Sequence, residues 1–359
     1  MKVIIGVILL FLIIGLLLFI VPFFFRERDV SADSKGIMIS RDGGRSWIQP
    51  KFSEEIAKLL DVSVTEIVFD PINPDVVYLA TLGKGILVSR DKGFSWERLE
   101  AEGALRQSSD IFRIVFGEKP PFPVYVAVFQ DNVGVLLKSE SKDTLFFREI
   151  YRASRDRFGV FDIVLDQENS NHIFIATGEG GVLYSRDGGS TWKALKWFPD
   201  SVIRLLIKPG SESFILALLL DGRVFRSDDQ GVAWEEVMLP AARSSFIRGS
   251  YGRNLVADPT RTDTYFIVLR GGLFMADQNG KSIKKFNIIF PPGEVVFSGG
   301  VAVDPSDPKR ILAAVGNRIY ASEDRGVSWS LVGEAKNGKI VTLMFNPREP
   351  RVVWAGLQR

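Results

Sequence analysis

The chain contains no cysteine and a single histidine, His172, among 359 residues. The first absence removes disulfides, thiolate metal sites, a cysteine nucleophile and lipoprotein acylation. It leaves the compartment open, because exported proteins can manage without disulfides. The second excludes sites that need several imidazoles, such as most zinc centres. A charge excess of either sign is also missing. The 45 Lys and Arg against 43 Asp and Glu leave a net +2, which gives no argument for nucleic acid. No glycine-rich phosphate loop follows a strand and opens a helix. No metal and no cofactor are expected.

What the chain does have begins at its start. Residues 3–25, "VIIGVILLFLIIGLLLFIVPFFF", carry no charged or strongly polar side chain. A helix of that length crosses about 30 Å of hydrocarbon. Phe23, Phe24 and Phe25 run straight into "RERD" with no small-residue cleavage site, which favours an uncleaved anchor. The expected organisation is therefore a transmembrane anchor over 1–25, a juxtamembrane linker over 26–35 and a folded body over 36–359. The flanking charges lean toward an extracytoplasmic body. The linker spans at most ~35 Å, so the body works close to the bilayer.

The body repeats. Ser40–Trp47, "SRDGGRSW", recurs as "SRDKGFSW" from Ser89, "SRDGGSTW" from Ser185, "SDDQGVAW" from Ser227 and "SEDRGVSW" from Ser322. Two decayed copies fill the long gaps, "SESKDTLF" from Ser139 and "ADQNGKSI" from Ala276. The spacing is that of propeller blades. Each unit carries four short runs rich in β-branched and aromatic residues, bounded by Gly, Pro, Asp and Asn, as strands require. These are labelled A to D, with the octet on the C–D turn. The body opens on a C–D hairpin, Gly36–Gln49, and closes on an A–B hairpin, Ile340–Leu357. One blade is thus split between the two ends, and joining the halves closes the ring. Seven of each strand are expected.

The octet reads as turn chemistry. Asp at the third position accepts turn amides, and Gly at the fifth supplies a positive φ. Trp at the eighth is expected to wedge between neighbouring turns. The residues concerned are Asp42, Asp91, Asp187, Asp229 and Asp324, with Trp47, Trp96, Trp192, Trp234 and Trp329. On these octets, and on the Pro-rich A–B turns "DPINPDVVYLA", "DPSDPKRILAA" and "NPREPRVVWAG", the body resembles the Asp-box (BNR-repeat) β-propellers. Among these are sialidases, sortilin-type receptors, xyloglucan-cleaving glycosidases and photosystem II assembly factors. The resemblance implies an all-β, seven-bladed propeller whose ligand face lies opposite the boxes. Its assembly-factor branch, the nearest in blade count and compactness, implies a non-catalytic binding role.

Function is therefore sought on the D–A loop face. The corresponding A-strand position reads Glu66, Arg113, Asp162, Arg204, Asn254, Gly300 and Thr342, either a ligand ring or a self-neutralising one. One D–A loop holds Arg148, Arg152, Arg155 and Arg157; another holds Arg243, Arg248 and Arg253. Trp197–Phe198, Phe246–Ile247 and "FNIIFPPGEVVF" add apolar groups. Together these suit a protein partner, with carbohydrate as the alternative. A sialidase-like site could draw Arg113, Arg204 and Arg253 into a triad with Tyr251 as nucleophile. No Glu is placed to activate that Tyr, and "FRIV" at Phe112 lacks the family's Pro. Glycosidase chemistry needs two carboxylates facing each other, for which Glu66 and Asp162 are the candidates. His172, at the start of a B strand, reads as a surface residue.

Overall fold

Short β-branched runs separated by tight turns pair with their sequence neighbours, and the result is a ring of antiparallel meanders. The computed structural model describes residues 32–33, 35–52, 54–208, 211–237, 252–277, 280–289 and 297–358. The expected anchor at 3–25, together with Tyr251, Arg243 and Arg248, lies outside them. Among the described residues no helix is long and apolar enough to cross a membrane.

Seven blades are present. The A strands of blades 1 to 6 are Ser63–Phe69, Asp110–Phe116, Val160–Leu165, Val202–Lys208, Gly252–Ala257 and Phe297–Val303. Blade 7 is built from both ends of the body. Lys339–Phe345 and Val353–Gln358 supply strands A and B, and Ile37–Ser40 pairs beside Val353–Gln358 as strand C. The split-blade closure read from the sequence is therefore present. One detail differs. The expected D strand of blade 7 shrinks to a single bridge between Ile39 and Ile48. Pro50 follows two residues later and has no N–H to extend a ladder. Blade 2 gains an unexpected fifth strand, Glu102–Gly103, parallel to Phe146–Arg152. A short helix, Glu54–Leu59, forms in the first D–A loop.

Each seam between neighbouring blades holds its own apolar cluster. The closing seam packs Ile37, Ile39 and Trp354 of blade 7 against Val64, Ile67, Leu79 and Trp96 of blade 1. Stability is thus spread around the ring, with closure contributing one seam like the others.

The octet turns explain the regularity of the seams. In each of the five complete copies the first Ser hydroxyl accepts the N–H of the Gly at position five, at 2.7–2.9 Å. The same hydroxyl donates to the Asp carboxylate, at 2.7–2.8 Å. That carboxylate also accepts the backbone N–H at position seven. Both carboxylate oxygens are thus occupied inside the turn wherever position seven is Ser or Thr. The Gly has a second task. A Cβ there would meet a side chain of the preceding blade: Leu312 at Gly44, Trp354 at Gly93, Ile150 at Gly189, Leu195 at Gly231 and Phe286 at Gly326. The Trp ends what the Gly begins. Trp96, Trp192, Trp234 and Trp329 stand edge-on against Trp354, Tyr151, Phe198 and Phe286 of the preceding blade. Trp47 lies against Gly333. The octet is a seam device, and its polar groups are spent on the turn.

Candidate functional site: the channel and the D–A face

A strands run from the D–A loops toward the A–B turns, and their inner edges line the central channel. In every blade the A–B pairing shifts register next to the ring position. Beside the bulge, the N–H after the ring position bonds a ring side chain, of the preceding blade in blades 2 and 4 and of its own blade in blades 3 and 5. Glu66 Oε2 accepts Ile114 N–H at 2.9 Å, and Asp162 Oδ2 accepts Leu205 N–H at 2.8 Å. Asn254 Nδ2 donates to the Gly299 carbonyl at 2.9 Å. The expected ring is thus assembled from residues 42 to 50 apart in sequence, such as Arg204 and Asn254, whose side chains meet at 3.0 Å.

Charge pairing in the ring is lopsided. Arg113 bonds Glu66 and forms an ion pair with Asp162 at 2.7 Å. Its side chain is 30% exposed, against 9% for Glu66 and 0% for Asp162. Burial pushes the Glu66 carboxyl up, opposed by Arg113 and the Ile114 amide. Burial works against the Arg113 charge, and the two carboxylates prevail and raise it. Asp162 Oδ1 also accepts Ile163 N–H at 3.0 Å. Every oxygen of the two carboxylates is therefore engaged by a donor. A general acid or base must be free to exchange a proton with a substrate, and a nucleophile must be free to approach it. Here Arg113 holds both carboxylates, and Asp162 is fully buried.

The predicted loop arginines separate, with Arg148 at the octet end of its strand. Arg148 pairs with Glu140, and Arg152 forks onto Glu149 at 2.5 and 2.8 Å. Arg155 and Arg157 are exposed and, among the described residues, have no carboxylate within ion-pair distance. Arg155 lines a cleft of about 530 Å³ with Phe158, Glu179, Trp197 and Asp200. The two acids are again occupied: Glu179 by the Ser154 hydroxyl and the Arg155 N–H, Asp200 by the Ser201 and Asp221 N–H groups. Phe198 folds into the seam with Phe225 and Trp234, whereas Trp197 is left 52% exposed over the cleft. Arg253 takes the bulged position of blade 5 and is exposed; burial and then Arg270 pull its guanidinium down. His172 packs its ring against Tyr184. Sequence reasoning missed Glu179 and Phe158, because only the fold brings a B–C turn beside a D–A loop.

No family model matches the chain. A curated relative, xyloglucanase Xgh74A of Acetivibrio thermocellus, is 24% identical over 199 residues, 49% of this chain and 20% of that protein. The solved GH74 xyloglucanase from Xanthomonas campestris superposes with a TM-score of 0.67 at 16% identity, covering 83% of this chain and 51% of that one. YCF48 from Cyanidioschyzon merolae gives 0.62 at 17%, over 83% of this chain and 96% of that one. YCF48 bound to D1 peptide gives 0.57 at 14%, over 83% and 94%. The shared fold is the seven-bladed propeller. At these identities the likeness is one of fold. The chain spans a fifth to a half of the xyloglucanases it matches and nearly all of YCF48.

Proposed function

We propose that this protein is a membrane-tethered, non-catalytic propeller that binds a protein partner on its D–A loop face. The observation that carries the reading is the saturation of the channel carboxylates: Glu66 and Asp162 spend every oxygen on Arg113 and on neighbouring amides. Among the described residues of the D–A face, Trp197 lies over a cleft beside the unpaired Arg155. An exposed aromatic with a guanidinium at its rim is the composition of a protein-binding hot spot. The solved YCF48 with a D1 peptide offers a precedent for a peptide ligand on this fold.

Chain entry supports the tether. Gly36 leads into strand C of blade 7 from the D–A side, its carbonyl accepting Leu357 N–H at 2.9 Å. Six residues lie between Phe25 and Ala32, a reach of at most about 25 Å over the seven Cα–Cα steps. An anchor at 3–25 would hold the D–A face toward the bilayer, with the body extracytoplasmic. The partner is then a membrane protein or its juxtamembrane segment.

A second reading, glycan binding, is favoured by the same Trp197, whose exposed ring offers a stacking surface. Cross-linking pull-down from intact membranes separates the two. The doubly substituted Arg155→Glu/Trp197→Ala protein is expected to lose its partners, and equal recovery would overturn the protein-binding reading. Incubation with xyloglucan is expected to release no reducing ends; release that Glu66→Gln abolishes would establish a hydrolase.

A further inference from the structure

Below the polar ring the channel changes character. Residues i and i+2 of a strand share a face, so the next inward position on each A strand lies one step toward the A–B turns. It reads Val68, Val115, Val164, Leu206, Val256, Ala302 and Met344, apolar in all seven blades. Most are half-buried, and Met344 is 36% exposed. The channel here encloses about 440 Å³, with Arg113, Glu66, Arg204 and Asn254 at its polar end. That volume is in the range of small-ligand sites, and the chemistry is theirs too: apolar walls with a few convergent polar groups.

Arg204 gives the space a sign. Its Nε donates to Asn254 Oδ1 at 3.0 Å, and its Nη1 to the Ile203 and Phe161 carbonyls at 3.1 and 3.3 Å. Nη2 has no acceptor among the described residues. Arg113 takes both carboxylates of the ring, so none lies within ion-pair distance of Arg204. Burial pulls its guanidinium down, and the charges of Asp162 and Glu66, neither within ion-pair distance, do not offset it. A fixed, partly desolvated guanidinium at the end of an apolar tube is complementary to an anionic head on an apolar body. The ring already sets two cations against two carboxylates, so Arg204 offers hydrogen bonds to one anionic group and no surplus charge for a dianion beside Glu66 and Asp162.

We propose that the channel is a binding site for a small amphiphilic monocarboxylate, its carboxylate on Arg204 and its alkyl or aryl body against Val164, Leu206, Val256 and Met344. The site is independent of the D–A face partner. It is entered past Pro259, Pro305 and Pro347 of the A–B turns, from the octet face.

The test uses the full chain in lipid nanodiscs, with empty nanodiscs as the blank. Three probes of equal shape are titrated by calorimetry: 3-phenylpropionate, 3-phenylpropanol and 3-phenylpropylammonium. The carboxylate is expected to bind about tenfold tighter than the alcohol, the size of a hydrogen-bonded charge pair, and the ammonium not at all. Arg204→Gln should erase the preference for carboxylate and leave the alcohol unchanged. Met344→Trp, a substitution at an exposed position, should block both and reports even if Arg204→Gln fails to fold. No saturable binding to the parent protein, a preference that survives Arg204→Gln, or binding indifferent to Met344→Trp would each overturn the proposal.

Discussion

Replacing Gly93 by Ala tests the seam mechanism at the point where the ring closes. Gly93 is the fifth residue of the octet Ser89–Trp96 in blade 1, with φ +86°, and a Cβ there would stand 2.1 Å from Trp354 Cη2 and 2.9 Å from Cζ2. Trp354 belongs to blade 7, is 1% exposed, and is held edge-on by Trp96 at 5.8 Å. It therefore has little room to yield. Two costs combine: about 1–2 kcal/mol for an L-residue in the left-handed region, and about 1–3 kcal/mol for overpacking a filled seam. Gly83 is the control, because its φ is +75° and nothing lies within 4 Å of its added Cβ. Gly83→Ala should carry the backbone cost alone. The assay is urea unfolding followed by Trp fluorescence, comparing midpoints at constant slope. Gly93→Ala should exceed Gly83→Ala by about 1–3 kcal/mol, and Trp354→Leu should recover part of the excess in the double variant. Equal losses for the two glycines would refute the claim that the octet glycine is fixed by the neighbouring blade.

Other outcomes follow from the same geometry. Arg113→Met leaves Glu66 and Asp162 buried without a cation and should cost about 3–5 kcal/mol by thermal unfolding. Adding Glu66→Gln and Asp162→Asn should recover most of that loss; a single-variant loss below about 1 kcal/mol would mean the ring behaves as a surface ion pair. The octet carboxyls of Asp187 and Asp324 are held down to about 2 by the Thr191 and Ser328 hydroxyls and by turn amides. A depressed folded value means their stabilisation is whole above the unfolded carboxyl range and is lost as pH falls toward 2. Asp324→Asn should flatten that acid limb between pH ~4 and ~2, and an unchanged acid limb would contradict the assignment.

The fold was largely legible because repetition overrules the ambiguity of any single strand. Ser40, Ser89, Ser185, Ser227 and Ser322 mark equivalent turns, and the two half-blades at the ends left one way to close. The ring positions were legible for the same reason, since a shared register puts Glu66, Arg113, Asp162 and Arg204 at one height. Who pairs with whom was not. It depends on the bulge beside each ring residue, which no single residue type announces: the bulged positions include Thr65, Phe112, Phe161, Ile203 and Arg253. The tally of D–A loop arginines misled in part. Arg148 and Arg152 are answered by Glu140 and Glu149, which sit on a neighbouring turn and on the same strand. The blade 7 D strand was overread, because "WIQP" looks like a strand until its Pro is asked for an N–H. Trp197 and Phe198 looked alike as an apolar pair, and strand alternation sends one outward and the other into the seam.

The proposed partner meets this propeller through its D–A face. A photo-crosslinking side chain placed at Trp197, and separately at Val327 on the octet face, tests it in intact membranes; Val327 is 74% exposed and serves as the matched control. The account predicts a discrete protein adduct from position 197 and none from position 327. The same adduct from both positions, or an adduct from 327 alone, would contradict it.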